Sequence, residues 1–297
     1  MRDEPRCPDH AVDPGADAIP DGQTVRTDRE VHAGPLGPAD RHVGPVLPAD
    51  RTALAGLLAA AVRAPHDPAG AVDSLGWLGP QLAADRAAGA FDAWGASTLV
   101  DEITGAPVLG RAVADELHRR AGLPSSYPVG NAGLLHVYGY LLSTAVTPYG
   151  AKRDRWVDGA LAVALGLGAR DLLPWWSPDG STLLARVTRT ALPWLTDGPP
   201  PAGAPGVPGP ARLSDGSTSA GPSSVILRRD DPDGAGGTLR TVVLTTAGRS
   251  ALVYGHLRGG RTLLVTTFPV AAGPAWLAAL AAEPARPRYN VVARPGS

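Results

Sequence analysis

Residues 223–268 read SSVILRRDDPDGAGGTLRTVVLTTAGRSALVYGHLRGGRTLLVTTF. Four runs rich in β-branched and aliphatic residues lie here: Ser223–Arg229, Thr238–Thr246, Ser250–Leu257 and Thr262–Phe268. The glycine-containing turns DPDGAGG, AGR and RGGR separate them, so each run reads as a strand antiparallel to its sequence neighbour. A short helix over Gly273–Ala282 and a closing strand over Arg288–Ala293 complete the segment. Its sheet is expected to be covered on one face, with Tyr254, His256, Thr266 and Asn290 lining the open one.

Working backwards, residues 196–222 (TDGPPPAGAPGVPGPARLSDGSTSAGP) are a Pro/Gly/Ser linker and mark a domain boundary. Before it the period changes to that of helices. Asp50 is a candidate N-cap for Arg51–Arg63, with Leu54, Leu57, Leu58 and Val62 on one stripe. Asp73–Trp94 offers Leu75, Leu78, Leu82 and Phe91 to a core. Val108–Ala121 carries Val108, Leu109, Val113 and Leu117 on one face, basic residues in its last turn and Gly122 just beyond. Thr182–Leu195 is a further helix. Residues 1–48 show no hydrophobic period and read as a disordered arm. The expected fold is therefore α+β: a helical domain over 49–195, then a smaller antiparallel β domain over 223–297 with one short helix.

The 297 residues carry a formal net charge of −1, which argues against a whole-surface nucleic-acid binder. Cys7 is the only cysteine, so neither an internal disulfide nor a cysteine-based metal site is expected. The charged, proline-punctuated N-terminus is not a signal peptide, and the apolar runs fall short of the ~20 residues of a membrane span. These features predict a cytoplasmic protein with no membrane partner. G-x-G-x-x-G in a strand–helix setting, the P-loop, the G-x-S-x-G elbow and H-E-x-x-H are all missing, and no metal ligation is expected.

Twenty-six of the 27 basic residues are arginine, the pattern of a gene under strong GC pressure. The one lysine, Lys152, is then a candidate for a task that guanidinium cannot perform, because an ammonium is a compact charge whose pKa can be lowered. Tyr127, Asn131, Tyr138, Tyr140 and Tyr149 cluster in the same window. Lys152 would be the sole Schiff-base candidate for pyridoxal phosphate, but the alternating strands and helices of the common folds for that cofactor are absent. No cofactor is expected.

Within Asn131–Trp156 (NAGLLHVYGYLLSTAVTPYGAKRDRW), a helix over about Ala132–Ala145 would place His136, Gly139, Tyr140 and Ser143 on one face. Leu134, Val137, Leu141 and Ala145 would face the core. TPYG reads as a tight turn, after which Lys152 opens a second helix to about Leu167. The turn would bring Ser143, Thr147 and Tyr149 near Lys152, Arg153 and Arg155, with Trp156 beside them. Hydroxyl donors, cations and helix N-terminal amides suit a phosphate or carboxylate.

The chemistry expected is cofactor-independent group transfer in specialised metabolism, on an anionic small-molecule or acyl-activated substrate. His136 would be general acid or base, Lys152 and Arg155 would hold the anion with help from Arg153, and Tyr140 or Tyr149 would orient or protonate the substrate. A special case takes an aminoacyl group from a charged tRNA, with Arg111, Arg119 and Arg120 extending the basic patch. A pocket between the two domains would add Tyr254 or Asn290. The competing readings are a non-catalytic anion-binding or protein-interaction module, and a buried polar network that only fixes helix packing.

Overall fold

The computed structural model describes residues 48–102, 104–147, 150–196, 225–246, 248–271 and 273–292. The arm expected over 1–48 and the linker over 196–222 fall outside them, apart from Pro48 and Thr196.

The architecture is α+β. Helices α1 (Pro48–Arg63), α2 (Pro68–Ser74) and α3 (Leu78–Ala87) come first, then strand β1 (Ala96–Thr98), helix α4 (Arg111–Ala121) and strand β2 (Val129–Asn131). The central block follows as a π turn over Leu134–Tyr138 and a 3-10 turn over Gly139–Leu142. A small hairpin, β3 (Val146–Thr147) and β4 (Gly150–Ala151), leads to the short helices α5 (Asp154–Val157) and α6 (Ala160–Ala164). Helix α7 (Leu183–Ala191) precedes the four-stranded sheet of β5 (Val225–Pro232), β6 (Thr238–Thr246), β7 (Arg249–Arg258) and β8 (Arg261–Val270), and α8 (Gly273–Ala281) comes last. The sheet order is β5-β6-β7-β8, antiparallel throughout, as the turn spacing predicts. No helix among the described residues is long and apolar enough to cross a membrane.

Local chemistry explains most boundaries. Asp67 accepts from Gly70 N at 2.9 Å to cap α2, and the Thr182 hydroxyl accepts from Ala185 N at 3.0 Å to cap α7. Gly122 ends α4 in the left-handed region (φ 65°), where a residue without a Cβ fits without strain. Asp50 does not cap α1. It accepts from Arg170 (2.9 Å) and Trp175 (3.0 Å) across the core instead. The buried stripe of α1 is Leu57, Ala60 and Ala61, continued by Ala64 just beyond its end, while Leu58 and Val62 are exposed. Alanines let the neighbouring elements approach closely, so the small side chains won the core from the large ones.

The sheet is covered on both faces, not one. Gly255 and Val243 lie on opposite faces by register. A Cβ at Gly255 would overlap the Leu195 side chain from the helical segment and come within 2.7 Å of the Leu263 carbonyl oxygen. On the other side, Val243 and Ser250 meet α8 at Gly273. Tyr254, His256, Thr266 and Asn290 are accordingly buried rather than facing an open side. The unbroken apolar run of Val242, Val243 and Leu244 suits a strand sandwiched from both sides. One core runs from α1 through the central block to β6, β7 and β8. The closing strand also fails to form. Tyr289 and Asn290 take left-handed backbone angles (φ 54° and 64°), and only Val291 bridges, to Ser97.

Gly255→Ala is expected to destabilise the fold by about 1–3 kcal/mol, the range for overpacking a filled interface. A thermal melt checks it: a midpoint equal to wild type would mean that Leu195 and the sheet are not in firm contact.

Candidate functional site

The central block is buried on every side from Ala132 to Ser143, unlike the two-faced helix expected there. A helix apolar all round belongs inside a core. Asn131 starts it, accepting from Leu134 N at 3.1 Å and donating to Phe91 O at 3.0 Å. Gly139 admits another element, not a ligand: a Cβ there would lie 3.1 Å from Leu109. The π turn widens the backbone at His136, whose carbonyl accepts the Trp156 indole N–H at 2.9 Å. Such turns concentrate at functional sites.

A β-bulge in β8 faces it. Tyr254 pairs with Thr266 and Gly255 with Leu264, which leaves Val265 as the extra residue. The Val265 carbonyl lies 2.7 Å from His136 Nδ1. A carbonyl only accepts, so Nδ1 carries the ring proton and Nε2 is the acceptor, 2.9 Å from the Ser97 hydroxyl. Ser97 also lies 3.0 Å from the Asn290 carbonyl, which takes Thr98 N–H at 2.8 Å. The His136 and Tyr140 rings stack with centroids 4.8 Å apart at 31°.

Two cations close over Tyr140. Lys152 Nζ is 5.4 Å and the Arg155 guanidinium carbon 5.2 Å from its ring centroid. Lys152 pairs with Asp101 at 2.6 Å and keeps 17% of its side chain exposed. Arg155 donates from one terminal nitrogen to the Thr266 hydroxyl (3.1 Å) and the Thr267 carbonyl (3.2 Å), and its guanidinium lies 5.5 Å from the Phe268 ring centre. No carboxylate among the described residues forms an ion pair with Arg155.

The electrostatics follow from burial and crowding. Burial, then Arg155 and Lys152, push the His136 imidazole down to about 3 against the opposing pull of the Val265 carbonyl, so the ring is neutral near pH 7. Burial raises the Tyr140 phenol to about 12, opposed by Arg155 and a hydrogen bond with Asn290, and it stays protonated. Lys152 is lowered by burial and then by Arg155, while Asp101 works the other way. Arg155 is lowered by burial, while Tyr140 and the Asp158 carboxylate work the other way.

The structure thus brings His136, Tyr140, Lys152 and Arg155 together, with Trp156 behind His136, and turns the hydroxyls of Ser143 and Thr147 to other partners. The Ser143 hydroxyl donates to Val108 O at 2.5 Å, and Thr147 to Gly150 O at 2.8 Å within its own hairpin. Arg153 reaches the Ser143 carbonyl at 3.2 Å. Trp156 is a buried prop for His136. Tyr149 lies outside the described residues. The second helix does not begin at Lys152, and the single turn of α5 offers no helix N-terminus to an anion. The sequence carries no signal for Asp101 or the Val265 bulge as parts of the site, and Ser97 joins it through a strand pairing; Asn290 and Thr266 enter the sequence reading only as lining residues of the sheet. Tyr254 contributes elsewhere, accepting from Arg288 N at 3.3 Å. Comparison with protein-family models, with curated proteins and with solved structures finds no match to this chain.

The low value for His136 makes stability depend on acid. Between about pH 6.5 and 3 the unfolded chain binds a proton at this histidine and the folded chain does not, so stability falls as pH falls, by up to about 1.4 kcal/mol per pH unit. In His136→Gln that share of the slope should vanish between about pH 6.5 and 5. Denaturant melts across this window test it, and equal slopes in the two proteins would contradict a buried neutral imidazole.

Proposed function

We propose that this chain is a cofactor-independent transferase acting on a small substrate whose phosphate or carboxylate is held by Arg155 and Lys152. One observation carries the reading: Arg155 is a half-buried guanidinium in no ion pair among the described residues, with the Asp158 carboxylate acting only from beyond ion-pair distance, and it is packed beside a second cation. A charge removed from water calls for a counter-charge, and a bound anion supplies one. Lys152 and the protonated Tyr140 phenol then stand beside the reacting group as donors. His136 holds Tyr140 by stacking and Ser97 by hydrogen bonding.

A small anion suits the site better than a nucleic acid. Arg119 donates twice to Glu116, Arg120 pairs with Asp73 and Glu116 at 2.7 Å each, and Arg111 covers Tyr127. The arginines that would extend a basic patch toward tRNA are thus committed within the chain. A second reading, an anion-binding module without chemistry, draws support from His136, both of whose ring nitrogens are engaged by the protein.

Phosphate, sulfate or small carboxylates at 100 times their dissociation constant should stabilise the protein by about 2.7 kcal/mol. A thermal-shift panel should show this for wild type and not for Arg155→Gln. Wild type unmoved by every anion would overturn the proposed site. Ligand recovered unchanged after incubation with candidate acceptors would favour the module over the transferase.

A further inference from the structure

We propose that Lys152 is a carbonyl-capturing nucleophile, its ε-amine forming an iminium with a small oxo acid whose carboxylate rests on Arg155. The inference rests on the anion site proposed above and names the substrate class for it. Three observations on Lys152 carry it. Its side chain is largely buried yet keeps 17% of its surface exposed. A proton acceptor, Asp101, lies 2.6 Å from Nζ. Arg155 lies against the same Tyr140 ring and is near enough to act on the charge of Lys152, so a carboxylate on the guanidinium would place the rest of a short molecule in the neighbourhood of the amine.

Burial beside a second cation is a known way to activate a lysine, because both disfavour the ammonium form. Both act on Lys152, burial first and Arg155 second. A guanidinium cannot perform this reaction, which accounts for one lysine among 26 arginines.

The reaction balances with the groups present. The Lys152 ammonium passes one proton to the Asp101 carboxylate. The free amine pair attacks the carbonyl carbon, and the π pair moves to oxygen, which takes a proton from the new ammonium nitrogen to give a carbinolamine. The nitrogen pair then expels the hydroxyl as water, protonated by Asp101, which returns to carboxylate. Carbonyl compound and ammonium have become iminium and water, with no oxidant or reductant consumed.

The test is reductive trapping. The full chain is incubated at neutral pH with pyruvate and cyanoborohydride, digested, and its adducts are mapped by mass spectrometry, with the chain's α-amine as internal reference. Lys152 should carry the adduct in about tenfold or greater excess over the α-amine, and acetone, a ketone of similar size without the carboxylate, should label it about tenfold less. Arg155→Gln should remove the preference for pyruvate. Should that variant fail to fold, the contrast between pyruvate and acetone on wild type decides alone. Lys152 left unlabelled, or labelled equally by both ketones, overturns the proposal. If anions stabilise the protein through Arg155 while pyruvate leaves Lys152 untouched, the carbonyl chemistry falls and the anion site stands. If neither occurs, both fall.

Discussion

The hydrogen bond from His136 Nδ1 to the Val265 carbonyl, 2.7 Å long, is the joint on which this structure turns. It forms where two irregularities meet, a π turn in the central block and a bulge in strand β8. Each irregularity frees or redirects a backbone group that a regular helix or ladder would have used. The bond fixes the tautomer of His136, and through it the orientation of the Ser97 hydroxyl and the placing of Tyr140. Without the bulge, the helical segment would meet a uniform strand edge.

Around that joint the charge distribution is unusual for a protein interior. Two cations and one ion-paired carboxylate, Asp101, surround an aromatic ring, and Arg155 relies on a threonine hydroxyl and a peptide carbonyl. Burying charge costs free energy unless hydrogen bonds and counter-charge offset it. Arg240 pairs with Asp230 through two 2.8 Å contacts in the same sheet, whereas the more deeply buried Arg186 is held by three backbone carbonyls and no ion pair. What sets Arg155 apart is the second cation, Lys152, on the same aromatic ring, and that is the basis for proposing the Tyr140 cluster as a ligand site. The left-handed angles of Tyr289 and Asn290 fit the same view, since they bring the Asn290 carbonyl to Ser97 and its side chain to Tyr140.

Legibility varied with how local the causes were. Period and turn chemistry are local, so strands β6 to β8 lie within a residue or two of the runs read from the sequence, and Gly122 ends α4 as expected. The central block misled because its hydroxyls and aromatics resembled a polar seam. Tertiary burial instead drew Ser143 to Val108 and made Tyr138 a partner of Asp85, at 2.5 Å in each case. Asp101 gave no signal, being one acidic residue in a loop.

By itself the sequence determined the α+β class, the four main strands and their antiparallel order, and the presence of a single lysine among the basic residues, because each follows from neighbouring residues or from composition. Only the tertiary structure decided that both sheet faces are covered, that the central block is buried all round, and that Lys152 and Arg155 share Tyr140 while Ser143 and Thr147 turn away. Most of those outcomes depend on contacts between residues distant in sequence, from Ser143 with Val108 to His136 with Val265. No periodicity encodes such contacts. They are set by which surfaces fit once the whole chain has packed.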